Sequence, residues 1–568
     1  LRNIRIITIL LLALILAFLL LAGRCFYLQF LKSGYYKSAC LRQQQRQEPQ
    51  KPQRGVILDC RGRILAASNK IQTVFAEPRA IKNPQGTYAA LAPILNMNAD
   101  EICGLINESN NPGFVKLRTG IDPDRGSAAA KIRGIGVQSD WQRNYPAGRL
   151  AAHIVGFTSL DDHGLGGIEL KYDRELTGTA SKNIFFADAA PYRRPIRLKE
   201  QTGILRDGCG IILTIDSAIQ QFARSELLKQ YRDYDAESAI AIVAEPKTGA
   251  ILAMVSLPDF EPDNIRSADP NEFRNHAISD QFEPGSLLKP ITAAVALDTG
   301  AVGFNDTIFC EYGNYHGKGF GQIGEYEGHR YGNLSIREIL ALSSNIGMAK
   351  IGQKLDKEKL YSGLKFFGFG QKTGIDLPGE AEGLLHPAEN WNGYSITRIP
   401  YGQEISVTSI QMLRVFCILA NGGFSVRPYL VKAIVDNNGN ITKLKQSQPI
   451  GVGYIIKPQT AQWITRTALV AVVNEGTGKR AKLEKWQVFG KTGTANVARS
   501  DGKGYEEDAY IASFGGGAPA ENPKVVVLVS IRKPNPHLGK GYSGGTVAAP
   551  VAGKIIEKTL NYLEGHQQ

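Results

Sequence analysis

From Ile6 to Ala22 the chain reads IITILLLALILAFLLLA. Such a stretch cannot be one face of a globular domain, because a helix that is apolar all round has no side to turn to water. Roughly 20 apolar residues span a bilayer core and ~7–15 make a signal-peptide core, so this run predicts a spanning helix. The following LLLAGRC looks like a lipoprotein cleavage box, but Arg24 separates Gly23 from Cys25 and spoils it. The expectation is an uncleaved anchor with a short cytoplasmic tail carrying Arg2 and Arg5, although Arg24, Lys32 and Lys37 beyond it work against the charge rule. No second run is long enough to span, which puts everything after about residue 30 on one side of the membrane. A chain that opens on Leu1 also points to a true start further upstream.

At 568 residues the chain exceeds one ordinary domain, and 43% hydrophobic with 21% charged residues is the composition of a globular protein with a substantial core. The net charge of +13 suits an anionic setting such as a membrane surface or an acidic polymer. Nucleic acid is excluded as a partner on the ground that the basic residues are spread and no zinc or RNA-binding signature accompanies them. Seven cysteines, at 25, 40, 60, 103, 209, 310 and 417, contain no C-x-x-C pair, which argues against a disulfide framework or a zinc site. Most are expected to be small buried side chains.

Residues 41–54, LRQQQRQEPQKPQR, read as a polar, proline-punctuated linker or extended entry segment. Short strands and helices follow to about Asp235, and then the texture changes. SAIAIVAEPKTGAILAMVS (238–256) is two apolar strands joined by a Pro-Gly turn. Helices are expected after Gly285, at 335–354 with a break at Ser343-Ser344-Asn345, at 408–421 and at 547–563, with strands in WQVFGKTGTA, YIASFGGGA and KVVVLVSIR. The pattern predicts an α+β chain whose C-terminal part is one antiparallel sheet covered by helices.

Lys-Thr-Gly occurs three times, at 247–249, 372–374 and 491–493. None completes a phosphate loop: the glycine required before Gly490-Lys491-Thr492 is Lys485. The first copy is hairpin chemistry and the second sits in a glycine-rich loop, FGFGQKTGIDLPG. The third follows a strand and continues into Thr494-Ala495, as an edge strand lining a cleft would.

Ser286 and Lys289 form S-x-x-K, whose i, i+3 spacing puts both side chains on one helix face. A serine hydroxyl attacks only when a neighbouring base takes its proton, and a lysine is such a base only when desolvation or charge lowers its pKa. Following Pro284-Gly285, Ser286 should begin the helix and point a free N–H toward a developing oxyanion. S-x-x-K also occurs at Ser362–Lys365, Ser500–Lys503 and Ser530–Lys533. Only Ser286 precedes both Ser343-Ser344-Asn345 and a strand-borne Lys-Thr-Gly, the ordered set shared by penicillin-binding proteins and serine β-lactamases.

With FEPGSLLKP, LSSNIGMAK and FGKTGTA as the three boxes, the chain resembles the class B penicillin-binding proteins, membrane-anchored D,D-transpeptidases of peptidoglycan synthesis, nearly end to end. RGVILDCRGRILA (54–66), RNYPAGRLAAHIVGF (143–157) and GLGGIELKYDRELTG (164–178) are similar to the family's pedestal motifs, although Cys60 and Arg61 replace the usual Arg-Asn. GIELKYD and the GIDLPGE loop (374–380) are most like the septal and sporulation branch. Glu404 departs from the glycine common at that place, which bears on cleft shape.

The resemblance implies a cytoplasmic tail and anchor over 1–24, a linker and non-catalytic, dimerisation-type pedestal of mixed α/β structure over 25–235, and a β-lactamase-like transpeptidase domain over 236–568. It implies that Ser286 attacks the penultimate D-alanine of a stem peptide, Lys289 is the base, and Ser343 shuttles the proton. Asn345, Lys491, Thr492, Gly493 and Thr494 would bind substrate, with the Ser286 and Thr494 N–H groups as oxyanion hole. No metal or cofactor is called for. His153 and His276 are expected to serve packing. Implied partners are stem peptides, β-lactams, the membrane, a polytopic glycosyltransferase and other division or sporulation proteins, with the catalytic domain on the outer side. Still open are a hydrolase reading, either D,D-carboxypeptidase or β-lactamase, a β-lactam sensor, and a scaffold with a vestigial site.

Overall fold

In the computed structural model the apolar run lies in α1 (Arg2–Phe26), prolonged by a wider helical turn to Leu31. Its side chains are exposed all round, as a helix solvated by lipid requires. The structure describes residues 2–109, 111, 113–159, 161–186, 196–202, 204–444, 453–499 and 501–565, so Ser500 lies outside the described residues.

By contact the chain forms two compact units whose segments interleave in sequence: 1–53, 69–142 and 178–207 in one, and 54–68, 143–177 and 208–568 in the other. In the first, residues 41–44 of the expected linker or extended segment end the helix Ser33–Gln44, while Gln45–Gln50 is extended, as a strand that pairs antiparallel with Ser181–Phe186. A small core there packs Val74, Val115, Leu117 and Ile121 against Leu91, Leu95 and Ile102 of two helices.

The second unit is built on a five-stranded sheet. Among its elements are, in chain order, α2 (Ser217–Asp233), β1 (Ser238–Ala244), β2 (Ile251–Leu257), α3 (Lys289–Asp298), α4 (Ile336–Leu342), α5 (Asn345–Leu355), α6 (Ser409–Ala420), β3 (Phe489–Ala498), β4 (Tyr505–Ala518), β5 (Val525–Arg532) and α7 (Ala549–Gly565). Spatial order is β2-β1-β5-β4-β3, antiparallel throughout, so β3 is an edge. Every residue of β1 is buried, and the two-residue period divides its side chains between two cores. Ala239, Ala241 and Val243 face Ile219, Leu227, Ile555 and Ile556 of α2 and α7. Ile240, Ile242 and Ala244 join the core that contains α3, α4, α5 and α6. The antiparallel sheet covered by helices is therefore present, with a layer on each face.

The segments 54–68 and 143–177, which carry the pedestal motifs up to residue 177, pack within this second unit, around a buried charge cluster. Glu169, 0% exposed, receives Arg54 Nε at 2.6 Å and Arg143 Nε at 2.7 Å, and Asp173 pairs with Arg54 at 2.8 Å. Tyr172 of GIELKYD donates to Asp376 of GIDLPGE at 3.0 Å, and the same carboxylate accepts the Leu430 and Val431 N–H groups. All seven cysteines are free thiols, but only Cys310 and Cys417 are buried; the expectation that most would be buried fails.

Candidate active site

Ser286 lies in a short helical turn, Gly285–Leu288, that runs directly into α3, whose first residue is Lys289. Gly285 adopts φ +52°, a left-handed value that suits glycine and aims the turn at the sheet edge. Ser343 and Ser344 form the break between α4 and α5: Ser343 ends one helix in the left-handed region at φ +60°, and Ser344 caps the next by accepting the Gly347 N–H at 3.0 Å. This turn projects Ser343 and Asn345 toward Ser286. β3 approaches from the other side. A Cβ on Gly493 would lie 2.8 Å from Leu287 Cγ and 3.2 Å from the Pro284 carbonyl oxygen, so the glycine of the third Lys-Thr-Gly lets the edge strand abut the nucleophile turn.

The hydrogen bonds converge on one hydroxyl. Ser343 Oγ donates to Ser286 Oγ at 3.0 Å and accepts from Lys289 Nζ at 3.1 Å and from Lys491 Nζ at 3.0 Å. The i, i+3 pair expected to meet on one helix face is thus joined through the serine of S-x-N. Lys289 Nζ donates further to Asn345 Oδ1 at 2.7 Å, and Asn345 Nδ2 to the Gly324 carbonyl at 3.2 Å. Both lysines are 0% exposed. Burial pushes Lys289 down to about 7, against the opposing pull of Glu325. Burial, and after it the charge of Lys289, hold Lys491 well below the ordinary lysine range. Lys289 can therefore be neutral near neutral pH and accept a proton.

A cleft of about 300 Å³ opens over these groups, lined by Ser286, Ser343, Asn345, Thr492 and Thr494 among others. Thr492 Oγ1 shares a 2.6 Å hydrogen bond with Thr477 Oγ1, and Thr494 Oγ1 accepts the Gly544 N–H at 3.1 Å. Thr477 and Glu325, which also line the cleft, carry no motif that singled them out in the sequence. All eight sequence-derived site residues are brought to one place by α3, the α4–α5 turn and β3.

The other described copies of the two motifs lie in turns, a helix and a strand. Thr248 bonds to Glu245 inside the β1–β2 hairpin, and Thr373 donates to Glu380 within its own loop. Ser362 is on the helix Lys357–Phe366, and Ser530 is buried in β5 with its hydroxyl on Ser513 at 3.0 Å. His153 bonds the Glu272 carbonyl and His276 pairs with Asp280; neither lines the cleft. Glu404 has φ +60°, which explains why glycine suits this position. Its N–H donates to Glu283 at 2.9 Å and its carboxylate accepts from Ser395 at 2.7 Å, so local bonds hold a backbone that costs a β-carbon residue about 1–2 kcal/mol.

Residues 239–557 match the family described as the penicillin binding protein transpeptidase domain, and residues 49–204 match the penicillin-binding protein dimerisation domain. The chain is 36% identical to stage V sporulation protein D of Bacillus subtilis over 555 residues, covering 97% of this chain and 84% of that one. It is 30% identical over 521 residues to the peptidoglycan D,D-transpeptidase FtsI of Escherichia coli, covering 90% and 84%. Among solved structures it is similar to a peptidoglycan synthetase from Bifidobacterium adolescentis, with a TM-score of 0.73 at 25% identity, covering 92% of this chain and 97% of the other. Penicillin binding protein 3 of Mycobacterium tuberculosis in complex with aztreonam is similar at a TM-score of 0.70 and 25% identity, covering 91% and 97%. With both domains matched in order, with relatives of this identity along almost its whole length, and with Ser286, Lys289, Ser343 and Lys491 on one hydrogen-bonded network, the chain belongs to the class B penicillin-binding proteins.

Proposed function

We propose that this protein is a membrane-anchored serine D,D-transpeptidase that crosslinks peptidoglycan stem peptides in division or sporulation and is acylated by β-lactams at the same serine. The observation that carries the reading is the network centred on Ser343, which connects a nucleophile to a buried lysine able to be neutral near pH 7. In the acylation step Ser286 Oγ bonds to the carbonyl carbon of the penultimate D-alanine and gives its proton to Lys289. The Ser286 and Thr494 N–H groups receive the oxyanion, a contribution worth about 3 kcal/mol of barrier per donor. Collapse breaks the peptide bond, and Ser343 returns the proton to the departing D-alanine nitrogen. The amine of a second stem peptide then attacks the ester, and Ser286 regains its proton. Asn345 holds the donor peptide amide, while Thr492 and Thr494 hydroxyls, with the positive potential of Lys491, bind the terminal carboxylate.

The domain roles belong to the same proposal: 1–24 as tail and anchor, 25–235 as linker and pedestal, and 236–568 as the catalytic domain, held on the outer face of the cell membrane. The pedestal and anchor would meet a polytopic glycosyltransferase that supplies glycan strands. Full-length protein in detergent, incubated with a donor pentapeptide and an acceptor amine, should release D-alanine and form crosslinked product in equal amounts. Ser286→Ala should abolish both, along with labelling by a fluorescent penicillin. Release of D-alanine with hydrolysed donor and no crosslink would instead establish a carboxypeptidase, and labelling that survives Ser286→Ala would sink the assigned nucleophile.

A further inference from the structure

The carboxylate of Glu325 lies beneath the break between α4 and α5 and is 9% exposed. It is delivered there by a hairpin of strands Asn314–Gly317 and Gly321–Gly324. Three donors from the first turn of α5 converge on it: Ser344 Oγ, the Asn345 N–H at 2.6 Å and the Ile346 N–H at 3.3 Å. A carboxylate on the free N–H groups of a helix start is stabilised by hydrogen bonds and by the helix dipole together. Asn345 carries the connection onward, since its backbone is gripped by Glu325 while its Oδ1 receives Lys289 Nζ at 2.7 Å.

We propose that Glu325 is a positioning residue for acyl transfer, which fixes the first turn of α5, and with it Ser343 and Asn345, and serves as the counter-charge of Lys289. The inference rests on Lys289 being the base, as in the function proposed above. Lys289 faces Lys491 from β3 and Glu325 from the hairpin, and Glu325 also faces the Cys310 thiol and the Tyr331 phenol. Glu325 is the group that favours the charged form of Lys289, while burial opposes it.

The sign of the effect separates this role from simple packing. Without the Glu325 charge Lys289 holds its proton less tightly, so a larger fraction is neutral at a given pH. The acidic limb of the acylation profile must then move to lower pH, even though a loosened α4–α5 turn lowers the plateau. Packing alone would lower the rate by the same factor at every pH.

The test is the second-order rate of labelling by a fluorescent penicillin, measured against pH on full-length protein in detergent, for the parent, Glu325→Gln, Glu325→Asp and Ser286→Ala. For Glu325→Gln the expected result is a plateau lowered roughly tenfold to a hundredfold and an acidic midpoint about one unit lower. For Glu325→Asp, which keeps the charge and shortens the reach, the plateau should fall while the midpoint stays within a few tenths of a unit. An unmoved or raised midpoint in the Gln variant overturns the proposal, as does an Asp midpoint that moves as far as that of Gln. Should Glu325→Gln not fold, the Asp variant still decides, because an undiminished plateau or a shifted midpoint overturns the idea. Failure of the underlying reading shows separately, as labelling that persists in Ser286→Ala.

Discussion

Three residues of identical type and local sequence, Thr248, Thr373 and Thr492, occupy three different chemical settings. Thr248 and Thr373 give their hydroxyls to carboxylates of their own turns, Glu245 and Glu380. Thr492 lies on the edge strand beside the buried lysines, with its hydroxyl on Thr477 and its face to the cleft. Thr492→Val should therefore lower the second-order rate of penicillin acylation by about tenfold or more, since a lost hydrogen bond to a charged group costs about 1.5–3 kcal/mol. Thr248→Val and Thr373→Val should leave that rate within about twofold. Comparable losses at all three positions would count against the edge-strand assignment. The sequence distinguished these copies through their context, a strand before one and turn residues around the others. It did not show that Lys289 and Lys491 share one hydroxyl, because that depends on where Ser343 stands between them.

At the scale of elements, the helix break at Ser343-Ser344-Asn345 was legible because capping residues interrupt an apolar period. The strands β1, β2, β4 and β5 were legible from their apolar runs, although β3 begins at Phe489 and leaves Trp486 outside the sheet. The pedestal motifs were legible as motifs and illegible as a cluster. Arg54, Arg143 and Glu169 are scattered along the chain, and only the folded unit shows that one buried carboxylate holds both guanidinium groups. A fully buried Glu169 cannot itself be a docking contact. Glu169→Gln leaves the buried Arg143 guanidinium without its counter-charge and Arg54 with Asp173 alone, and should destabilise the folded protein by about 3 kcal/mol or more. Denaturant unfolding of the full-length protein checks this, and the fraction that remains folded should still label with penicillin at close to the parent rate. Unchanged stability would show that the cluster is not holding these turns.

For the molecule as a whole, acid stability reports on a residue that the reaction does not use. His153 is buried against the Glu272 carbonyl, and burial pushes it down to about 4 from the ordinary 6.5. The unfolded chain then takes up this proton first as pH falls. Stability from the neutral buried imidazole is present above about 6.5 and is lost progressively down to about 4, amounting to about 3 kcal/mol. His153→Gln should lose about that much less stability than the parent between these pH values, as measured by unfolding midpoints in denaturant. Parallel profiles for the two proteins would show that His153 titrates normally.

What the sequence determined by itself is what short-range physics decides. An apolar run long enough to need lipid, strands with a two-residue period, helices with their caps, turns that require glycine, and the order of three motifs all follow from neighbouring residues. Together with the resemblance they carry, these sufficed to name every group of the proposed reaction. Only folding settles how residues remote in the chain share a site. Residues 54–68 and 143–177 pack in the same compact unit as 208–568, and seven free cysteines distribute themselves without pairing. Glu325 comes to lie beneath a helix start although no motif in its surroundings, GQIGEYEG, singles it out. The physical reason is that hydropathy and turn chemistry act between neighbours, whereas the field at Lys289 is made by burial, which lowers its pKa, and by the charge of Glu325 on a separate element, which opposes that shift. No property of the sequence around Lys289 fixes that field until the α4–α5 turn, the edge strand and the hairpin have closed around it.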